Sequence, residues 1–249
     1  MKRLDPRERI RYTRQIIIPE IGEAGQRRLK GSHVIVTGVG GLGCASTTYL
    51  TAAGVGHLTI VDFDSVQRPD LNRQVLYSED DIGKKKVPIA RRRLSKLNPH
   101  VEISSILSKI TEENVLQIIH GADVVVDGLD NSAARLLINL ACIKRKIPYV
   151  YGGVSRLRGM VTTIIPGKTP CLACIFPEAI PKRESLGVLG VIPALIATIQ
   201  ALEAIKLLIG QPPSLAGKLL RFNGNDLRLR IDDMRKRRDC TACSPEALK

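Results

Sequence analysis

Short apolar runs alternate with longer amphipathic segments through most of the chain. The runs are rich in β-branched residues, which is typical of buried strands. Such strands are predicted at 33–37, 58–61, 101–106, 123–126 and 148–151. Helices are predicted between them at 41–53, 84–97, 112–119 and 131–146. This alternation indicates parallel pairing through right-handed crossovers, and so predicts a Rossmann-like, doubly wound α/β sheet.

The two ends of the chain have different patterns. Asp5-Pro6-Arg7-Glu8 has the residues of a helix start with a capping box. It begins a basic helical arm of about 25 residues, which is predicted to end near Gly31. Runs at 160–165, 218–223 and 227–231 are typical of antiparallel strands. We therefore expect one domain over 1–249 with a mixed sheet, divided into an arm (1–30), a first half (31–152) and a second half (153–249).

Two charge-free stretches raise the question of a membrane span. Residues 31–61 are interrupted by histidines, threonines and glycines. Residues 185–202 contain Pro193 and Gln200, and we interpret them as a loop that enters a buried helix. No apolar signal segment stands at the N-terminus, and four of the six cysteines form two CxxC pairs. That spacing is typical of metal ligands in a reducing compartment, so we expect a cytoplasmic protein without a membrane span.

A glycine-rich loop joins the first strand to the helix at 41–53. Gly38, Gly40 and Gly43 match G-x-G-x-x-G, in which small residues let the backbone approach a phosphate at a helix N-terminus. Asp62 ends the next strand and is placed to bind ribose hydroxyls. The combination indicates a nucleotide but does not separate NAD from ATP. A dehydrogenase therefore remains open at this point, as does a pure packing role for the glycines.

Charged residues follow several predicted strands, at the edge where such sheets bind ligands. Nucleotidyl transfer needs fixed cations because charge develops on the leaving pyrophosphate, whereas hydride transfer needs none over the phosphates. Arg73 and Lys86 are suitable cations, and Asp130 is a suitable magnesium ligand. Each residue alone is typical of a solvated surface. Their joint placement on one rim favours nucleotidyl transfer.

Several motifs together resemble the ThiF/MoeB/HesA family, the ubiquitin-activating-enzyme-like adenylyltransferases that activate small sulfur-carrier proteins. The resemblance runs from about Arg11 to Cys243, and the set of motifs is specific although each alone is weak. The motifs are RYTRQ at 11–15, GVGGLG at 38–43, DFD at 62–64, LNRQ at 71–74, Lys86, Asp130-Asn131, the two CxxC pairs and QALEAIK at 200–206.

The resemblance implies a homodimer in which each ATP site takes an arginine from the arm of the partner subunit. Arg14 would have that role, Arg73 and Lys86 would contact the phosphates, and Asp130 would hold Mg²⁺. These four residues are the predicted catalytic set. The predicted nucleotide-binding residues are Gly38, Gly40, Gly41, Gly43, Asp62, Asp64, Asn72, Arg73, Gln74, Lys86, Asp130 and Asn131.

The resemblance also implies the substrate. The C-terminal glycine carboxylate of a ubiquitin-like (β-grasp) sulfur carrier would attack ATP, giving an acyl-adenylate and pyrophosphate. The pathway would be molybdopterin, thiamin or tRNA-thiolation sulfur transfer. Residues 31–152 would then be the nucleotide-binding half, and residues 153–249 the carrier-binding half.

The two CxxC pairs predict a metal centre. Cys171, Cys174, Cys240 and Cys243 supply four thiolates, the ligand set of structural Zn²⁺. Four protein ligands leave no open coordination position, so the metal would fasten the C-terminal segment rather than catalyse. Unmetallated core cysteines are the alternative.

The chain departs from the family in several ways. Some members have a cysteine where this chain has Arg183, so we predict adenylation without a thioester at that position. Asp70 stands where the family usually has Asn, which leaves its nucleotide contact open. Cys44 and Cys142 are interpreted as core residues, because nothing nearby in the sequence activates them. We expect no sulfurtransferase domain after the second cysteine pair, and therefore a separate sulfur donor.

Lys and Arg number 38 against 24 Asp and Glu, a net charge of +14. The basic runs 91–93 and 235–238 are most often solvated, but they could also attract an acidic carrier or RNA. RNA matters because a related branch dehydrates threonylcarbamoyl-adenosine in tRNA. The paired cysteines favour the carrier-activating branch, and only 3% of residues are aromatic, which disfavours stacking on single-stranded nucleic acid. An NAD-dependent oxidoreductase and a non-catalytic carrier-binding scaffold also stay open on the sequence.

Overall fold

The computed structural model describes residues 2–177 and 187–244. The helices in these residues are α1 (Pro6–Arg11), α2 (Thr13–Ile16), α3 (Gly22–Gly31), α4 (Gly41–Ala53), α5 (Lys86–Leu97), α6 (Val115–Ile118), α7 (Ser132–Arg145), α8 (Leu172–Ile175) and α9 (Val191–Ile209). The strands are β1 (His33–Thr37), β2 (His57–Asp62), β3 (Glu102–Leu107), β4 (Val124–Asp127), β5 (Tyr149–Ser155), β6 (Arg158–Ile164), β7 (Lys218–Asn223) and β8 (Arg228–Asp233).

These strands form one mixed sheet in the order β3-β2-β1-β4-β5-β6-β7-β8. The strands from β3 to β5 pair in parallel, and those from β5 to β8 pair antiparallel. Thr37 of β1 lies between Val61 of β2 and Asp127 of β4, so the carboxyl ends of three strands lie side by side. The loops that follow them share one edge of the sheet. The predicted fold, a parallel N-terminal part with antiparallel C-terminal strands, is confirmed.

The prediction of one long helical arm was wrong in detail, because the arm consists of three helices. The capping box between Asp5 and Glu8 begins α1 as expected. The chain leaves helical geometry between α2 and α3, where Pro19 offers no backbone N–H and Gly22 takes a φ of +57°. The helix predicted at 112–119 is likewise shorter, at Val115–Ile118.

The arm docks on the C-terminal end of α4. The Tyr12 hydroxyl accepts a hydrogen bond from Asn98 Nδ2 at 2.8 Å, and Gln15 Nε2 donates to the Ala53 carbonyl at 3.0 Å. The glycine loop lies at the N-terminal end of this 13-residue helix. At 1.5 Å per residue, the arm and the glycine loop are therefore about 18 Å apart along the helix axis.

Helix α9 is the apolar centre of the molecule. It packs against α3, α4, β5 and β6, and its buried acid Glu203 accepts hydrogen bonds from Thr163 Oγ1 at 2.8 Å and Leu215 N–H at 2.8 Å. Among the described residues, α9 alone has the length and composition to cross a membrane, but half of its most apolar window is buried inside the fold. The interpretation of this stretch as a buried core helix agrees with that packing.

A stacked histidine pair occupies the opposite edge of the sheet, where β1 and β2 begin. The rings of His33 and His57 lie 4.0 Å apart at 9°. His33 Nε2 and Thr59 Oγ1 are 2.8 Å apart. Burial lowers the pKa of His33, and the charge that His57 can carry lowers it further, while the Gly121 carbonyl and the carboxylates of Asp123 and Glu102 oppose the shift.

This lowered pKa makes stability depend on pH. Below about pH 6.5 the unfolded chain binds a proton at this histidine that the folded chain does not, so the free energy of unfolding should fall as the pH passes down through the folded-state pKa. Urea unfolding of the wild type and of His33→Gln, between about pH 7.5 and 5, tests this. The difference between the free energies of unfolding of the wild type and His33→Gln should become smaller as the pH falls. A difference that stays constant over this range would contradict the expectation.

Candidate functional site

The glycine loop, Gly38–Gly43, turns tightly between β1 and α4. Gly38 has a φ of +89°, and a Cβ there would lie 2.6 Å from the Gly128 carbonyl oxygen. A Cβ on Gly43 would overlap the Gly38 carbonyl. Neither position tolerates a side chain, so the loop keeps the backbone exposed at the N-terminus of α4, where free N–H groups favour an anion.

Asp62 ends β2, and its carboxylate holds the glycine loop in place. Its carboxylate accepts the Val39 N–H and the Asp64 N–H, each at 2.8 Å. A carboxylate offers about four lone pairs, so these two bonds leave acceptors for a ligand hydroxyl. The predicted ribose contact is therefore compatible with the structural role that Asp62 already has.

Asp70 is the hub of the cationic side of the site, a role that the sequence did not reveal. Its carboxylate is buried, accepts from Gln74 Nε2 at 2.8 Å and Arg73 Nη2 at 3.2 Å, and lies 3.5 Å from Lys86 Nζ. The Gln67 N–H also donates to it at 3.0 Å. The signal in the sequence was an acid just before three predicted ligand-binding residues, but its partner Lys86 comes from another element.

The same segment touches the glycine loop. A Cβ on Gly41 would lie 3.5 Å from Arg73 Cγ, and one on Gly40 would lie 3.7 Å from Gln74 Nε2. Asn72 is exposed, and its side-chain oxygen accepts from Arg73 Nη1 at 3.2 Å. The LNRQ motif therefore places the Arg73 side chain and the Gln74 amide beside the glycine loop at the N-terminus of α4.

Carboxylates face these cations across the site. Lys86 Nζ lies 3.6 Å from Asp64 Oδ2 as well as beside Asp70. Burial raises the pKa of Asp64, the like charges of Asp62 and Asp130 raise it further, and Lys86 opposes the rise. Asp64 and Asp130 are both exposed, and they follow β2 and β4, whose carboxyl ends lie at the same edge of the sheet.

The Asp130 loop, residues 128–131, connects β4 to α7. Gly128 N–H donates to the Thr37 carbonyl at 2.7 Å, which ties this loop to the end of β1. Asn131 Oδ1 accepts from the Ala134 N–H at 2.8 Å and caps α7. Asn131 thus has a structural role beside its predicted proximity to the nucleotide, while Asp130 is exposed between its anchored neighbours.

Arg14 alone among the predicted catalytic residues does not join this group. It lies exposed on α2, beside the contacts that dock the arm on the far end of α4. The distance along α4 is about 18 Å, which exceeds the reach of one arginine side chain within the subunit. The other predicted residues converge on the carboxyl edge of β1, β2 and β4.

The residues present fit a nucleotide and a divalent cation. Gln74 Oε1 is buried and has no hydrogen-bond partner among the described residues, and the Nε2 of the same amide lies beside Gly40 of the glycine loop. The carboxylates of Asp64 and Asp130, both exposed at this edge of the sheet, offer the oxygen ligands that Mg²⁺ prefers. Arg73 and Lys86 match the charge of phosphates.

The four paired cysteines meet in one cluster between α8 and the C-terminal segment. Their sulfur atoms all lie within 4.8 Å of one another. Cys171 Sγ is 3.9 Å from Cys174 Sγ and 3.6 Å from Cys240 Sγ, and Cys174 Sγ is 3.5 Å from Cys243 Sγ. Tetrahedral zinc with bonds of about 2.3 Å places sulfur atoms about 3.8 Å apart, so the cluster is compatible with zinc.

The remaining cysteines lie in the hydrophobic core. Cys44 is fully buried and Cys142 nearly so. Burial raises the pKa of Cys44 to about 12 and also raises the pKa of Cys142. Neither thiol forms the thiolate that a nucleophile requires at neutral pH. Arg183, where a thioester cysteine stands in some family members, lies outside the described residues.

The chain is similar to proteins named as an adenylyltransferase and as an activating enzyme. Adenylyltransferase and sulfurtransferase MOCS3 of Culex quinquefasciatus is 43% identical to it, over 97% of this chain and 57% of that protein. This chain thus spans little more than half the length of that relative. SAMP-activating enzyme E1 of Haloferax volcanii is 40% identical, over 96% of this chain and 90% of its own length.

Solved structures agree with the sequence matches. MccB of E. coli, in a structure with ATP, superimposes with a TM-score of 0.83 at 25% identity, over 94% of this chain and 73% of that one. The ThiF family matches residues 12–244, nearly the whole chain. The resemblance inferred from the motifs is confirmed: the chain belongs to the ThiF family.

Proposed function

We propose that this chain is an ATP-dependent adenylyltransferase. Its substrate would be the C-terminal glycine carboxylate of a ubiquitin-like, β-grasp sulfur carrier, as expected from the motifs. The relatives named adenylyltransferase and SAMP-activating enzyme support the reaction class. The separate sulfur donor, the pathway and the cytoplasmic location remain predictions of the sequence.

One observation carries the proposal: Arg73 and Lys86 are held by one buried acid beside a phosphate-binding glycine loop. A hydride-transferring dehydrogenase has no use for two fixed cations over the pyrophosphate, so the NAD alternative is disfavoured. A non-catalytic scaffold has no use for the carboxylates of Asp64 and Asp130 opposite them.

The reaction follows from these positions. A carrier carboxylate oxygen attacks the α-phosphorus, a new P–O bond forms, and the bond to the β-phosphate oxygen breaks, so pyrophosphate leaves with the electron pair. Arg73 and Lys86 stabilise the charge on the leaving group, and the amide of Gln74 orients the nucleotide. Asp130, with Asp64, would hold Mg²⁺, which neutralises phosphate charge when bound.

The arm suggests that two subunits build each site. Tyr12 and Gln15 hold α2 at the far end of α4, so Arg14 projects from the subunit away from its own glycine loop. A symmetric dimer would bring each Arg14 to the site of the partner. The homodimer and the role of Arg14 are part of this proposal.

We further propose that the cysteine cluster binds structural zinc. Cys171 caps α8 and Cys174 lies within it, whereas the other two ligands lie in the C-terminal segment, so the ion would join parts of the chain that are distant in sequence. Four thiolates leave no open position for a substrate, which makes a catalytic role for this ion inconsistent with the ligand set.

ATP–pyrophosphate exchange tests the reaction. Exchange should appear with one Gly-Gly-ending β-grasp protein of the same genome, and Asp130→Ala should lower it at least about 100-fold because charge stabilisation is lost. His120→Ala, an exposed change away from the site, is the matched control. Absence of exchange with every carrier, from folded protein, would contradict the proposal. Tight tRNA binding that weakens steeply with salt would instead favour the tRNA-modifying branch.

Mixing two inactive variants tests the shared site. Equal amounts of Arg14→Ala and Asp130→Ala subunits should recover about a quarter of wild-type exchange, because half of the dimers then contain one complete site. The subunits are unfolded and refolded together so that they redistribute, and a mixture of separately refolded variants is the control. Exchange no higher than in that control would show that Arg14 acts within its own subunit.

Zinc content tests the cysteine cluster. The wild type should contain one zinc ion per chain, and Cys171→Ser should contain almost none and unfold about 10 °C lower or more, because metal binding contributes directly to folding. Cys142→Ser, a buried cysteine outside the cluster, should retain its zinc. Metal analysis by mass spectrometry and thermal unfolding supply the readouts. A Cys171→Ser protein with a full zinc content would refute the assignment.

A further inference from the structure

A buried ion pair lies directly beneath the Asp130 loop. Asp127 is the last residue of β4 and is fully buried, and Arg135 lies on α7 with only 8% of its surface exposed. Arg135 Nε is 2.9 Å from Asp127 Oδ2. The reaction proposed above uses neither residue.

The pair holds both polar backbone groups of Leu129. Asp127 Oδ1 accepts the Leu129 N–H at 3.0 Å, and Arg135 Nη2 donates to the Leu129 carbonyl. The same Nη2 donates to the Gly152 carbonyl of β5 at 2.7 Å. Leu129 immediately precedes Asp130, so the peptide unit that carries Asp130 is tied to two strands and one helix.

Other contacts fix the pair itself. The Arg135 guanidinium lies 5.0 Å from the centroid of the Tyr151 ring, within the range of a cation–π interaction. From the other face of the sheet, Gln200 Nε2 donates to the Asp127 carbonyl at 2.8 Å. A buried ion pair adds little net stability, because its charges lose their hydration and well-packed apolar residues are often as stabilising. The charges here serve to orient one loop.

We propose that Arg135 and Asp127 are positioning residues that aim the Asp130 carboxylate at the metal–nucleotide complex. This inference rests on the proposed function, in which Asp130 holds Mg²⁺. The neighbours of Asp130 are anchored on both sides, Leu129 by the ion pair and Asn131 by the α7 cap, and the Asp130 side chain between them is exposed. Outer groups that orient metal ligands typically contribute 10–100-fold to metal affinity.

The decisive variant removes both charges together. Arg135→Gln alone leaves a buried, unpaired carboxylate and risks misfolding. The double variant Asp127→Asn/Arg135→Gln keeps the approximate shape and leaves no uncompensated charge. The control is Asp81→Asn/Arg93→Gln, which removes another ion pair with a buried acid, at 2.5 Å, between α5 and the turn before it.

The readout is metal binding rather than turnover. Mn²⁺ is titrated by electron paramagnetic resonance into each folded protein, saturated with α,β-methylene-ATP and without any carrier. The Mn²⁺ dissociation constant should rise about 10-fold or more in the Asp127/Arg135 double variant and stay within about 2-fold in the control. Arg135→Lys keeps the charge, but its single ammonium cannot contact the Asp127 carboxylate and both carbonyls as the guanidinium does, so its Mn²⁺ dissociation constant should lie between those of the wild type and the double variant.

The outcomes separate this inference from the function on which it rests. If the folded double variant binds Mn²⁺ as tightly as the wild type while Asp130→Ala binds it more weakly, the positioning role is wrong. The role of Asp130 as a metal ligand would then still hold. Equal weakening in the Asp81/Arg93 control also overturns the positioning role, because the effect would then be general. If Asp130→Ala binds Mn²⁺ as tightly as the wild type, then both the assignment of Asp130 as a metal ligand and the positioning role of the ion pair are wrong.

Discussion

Acidic side chains hold the cationic side chains of this site in place. The geometry of the site, at the carboxyl ends of β1, β2 and β4, depends on this pairing of opposite charges. Arg73 and Lys86 carry like charges at one rim, and without a shared counter-charge they would extend into solvent. Asp70 accepts from Arg73 and Gln74 and lies beside Lys86, so it orders three side chains before any ligand arrives. Preordered groups lose less conformational entropy on binding, which favours a highly charged ligand at this position.

The acids of the site divide into two groups. Asp62 and Asp127 end β2 and β4, the parallel strands on either side of β1, and their carboxylates accept backbone N–H groups of the loops at this edge of the sheet. Asp64 and Asp130 are the exposed acids beyond them, and the charge of Asp130 helps to raise the pKa of Asp64. Asp62 and Asp127 thus shape the loops, whereas Asp64 and Asp130 remain available for a cation. This division also explains why a parallel sheet suits the chemistry, since it brings successive strand ends to one edge.

Local patterns predicted most of the fold and most of the groups that converge at the site. The glycine loop, Asp62 and the cysteine pairs are visible because their signals lie within a few residues, and the strand-helix alternation places them on one edge or in one cluster. The hub role of Asp70 and the Asp127–Arg135 pair could not be predicted, because each depends on side chains from different elements. The pattern predicts a single-helix arm because its basic amphipathic character continues across Pro19, where the backbone breaks.

A crystal structure with α,β-methylene-ATP and Mg²⁺ tests the central claim most directly. Adenosine should lie beside Asp62, the phosphates should contact Arg73, Lys86 and the N-terminus of α4, and the metal should bind Asp130. The guanidinium near the α-phosphate should come from Arg14 of a second copy. A nicotinamide dinucleotide held in the same pocket, or phosphates bound far from Arg73 and Lys86, would contradict this assignment of the site.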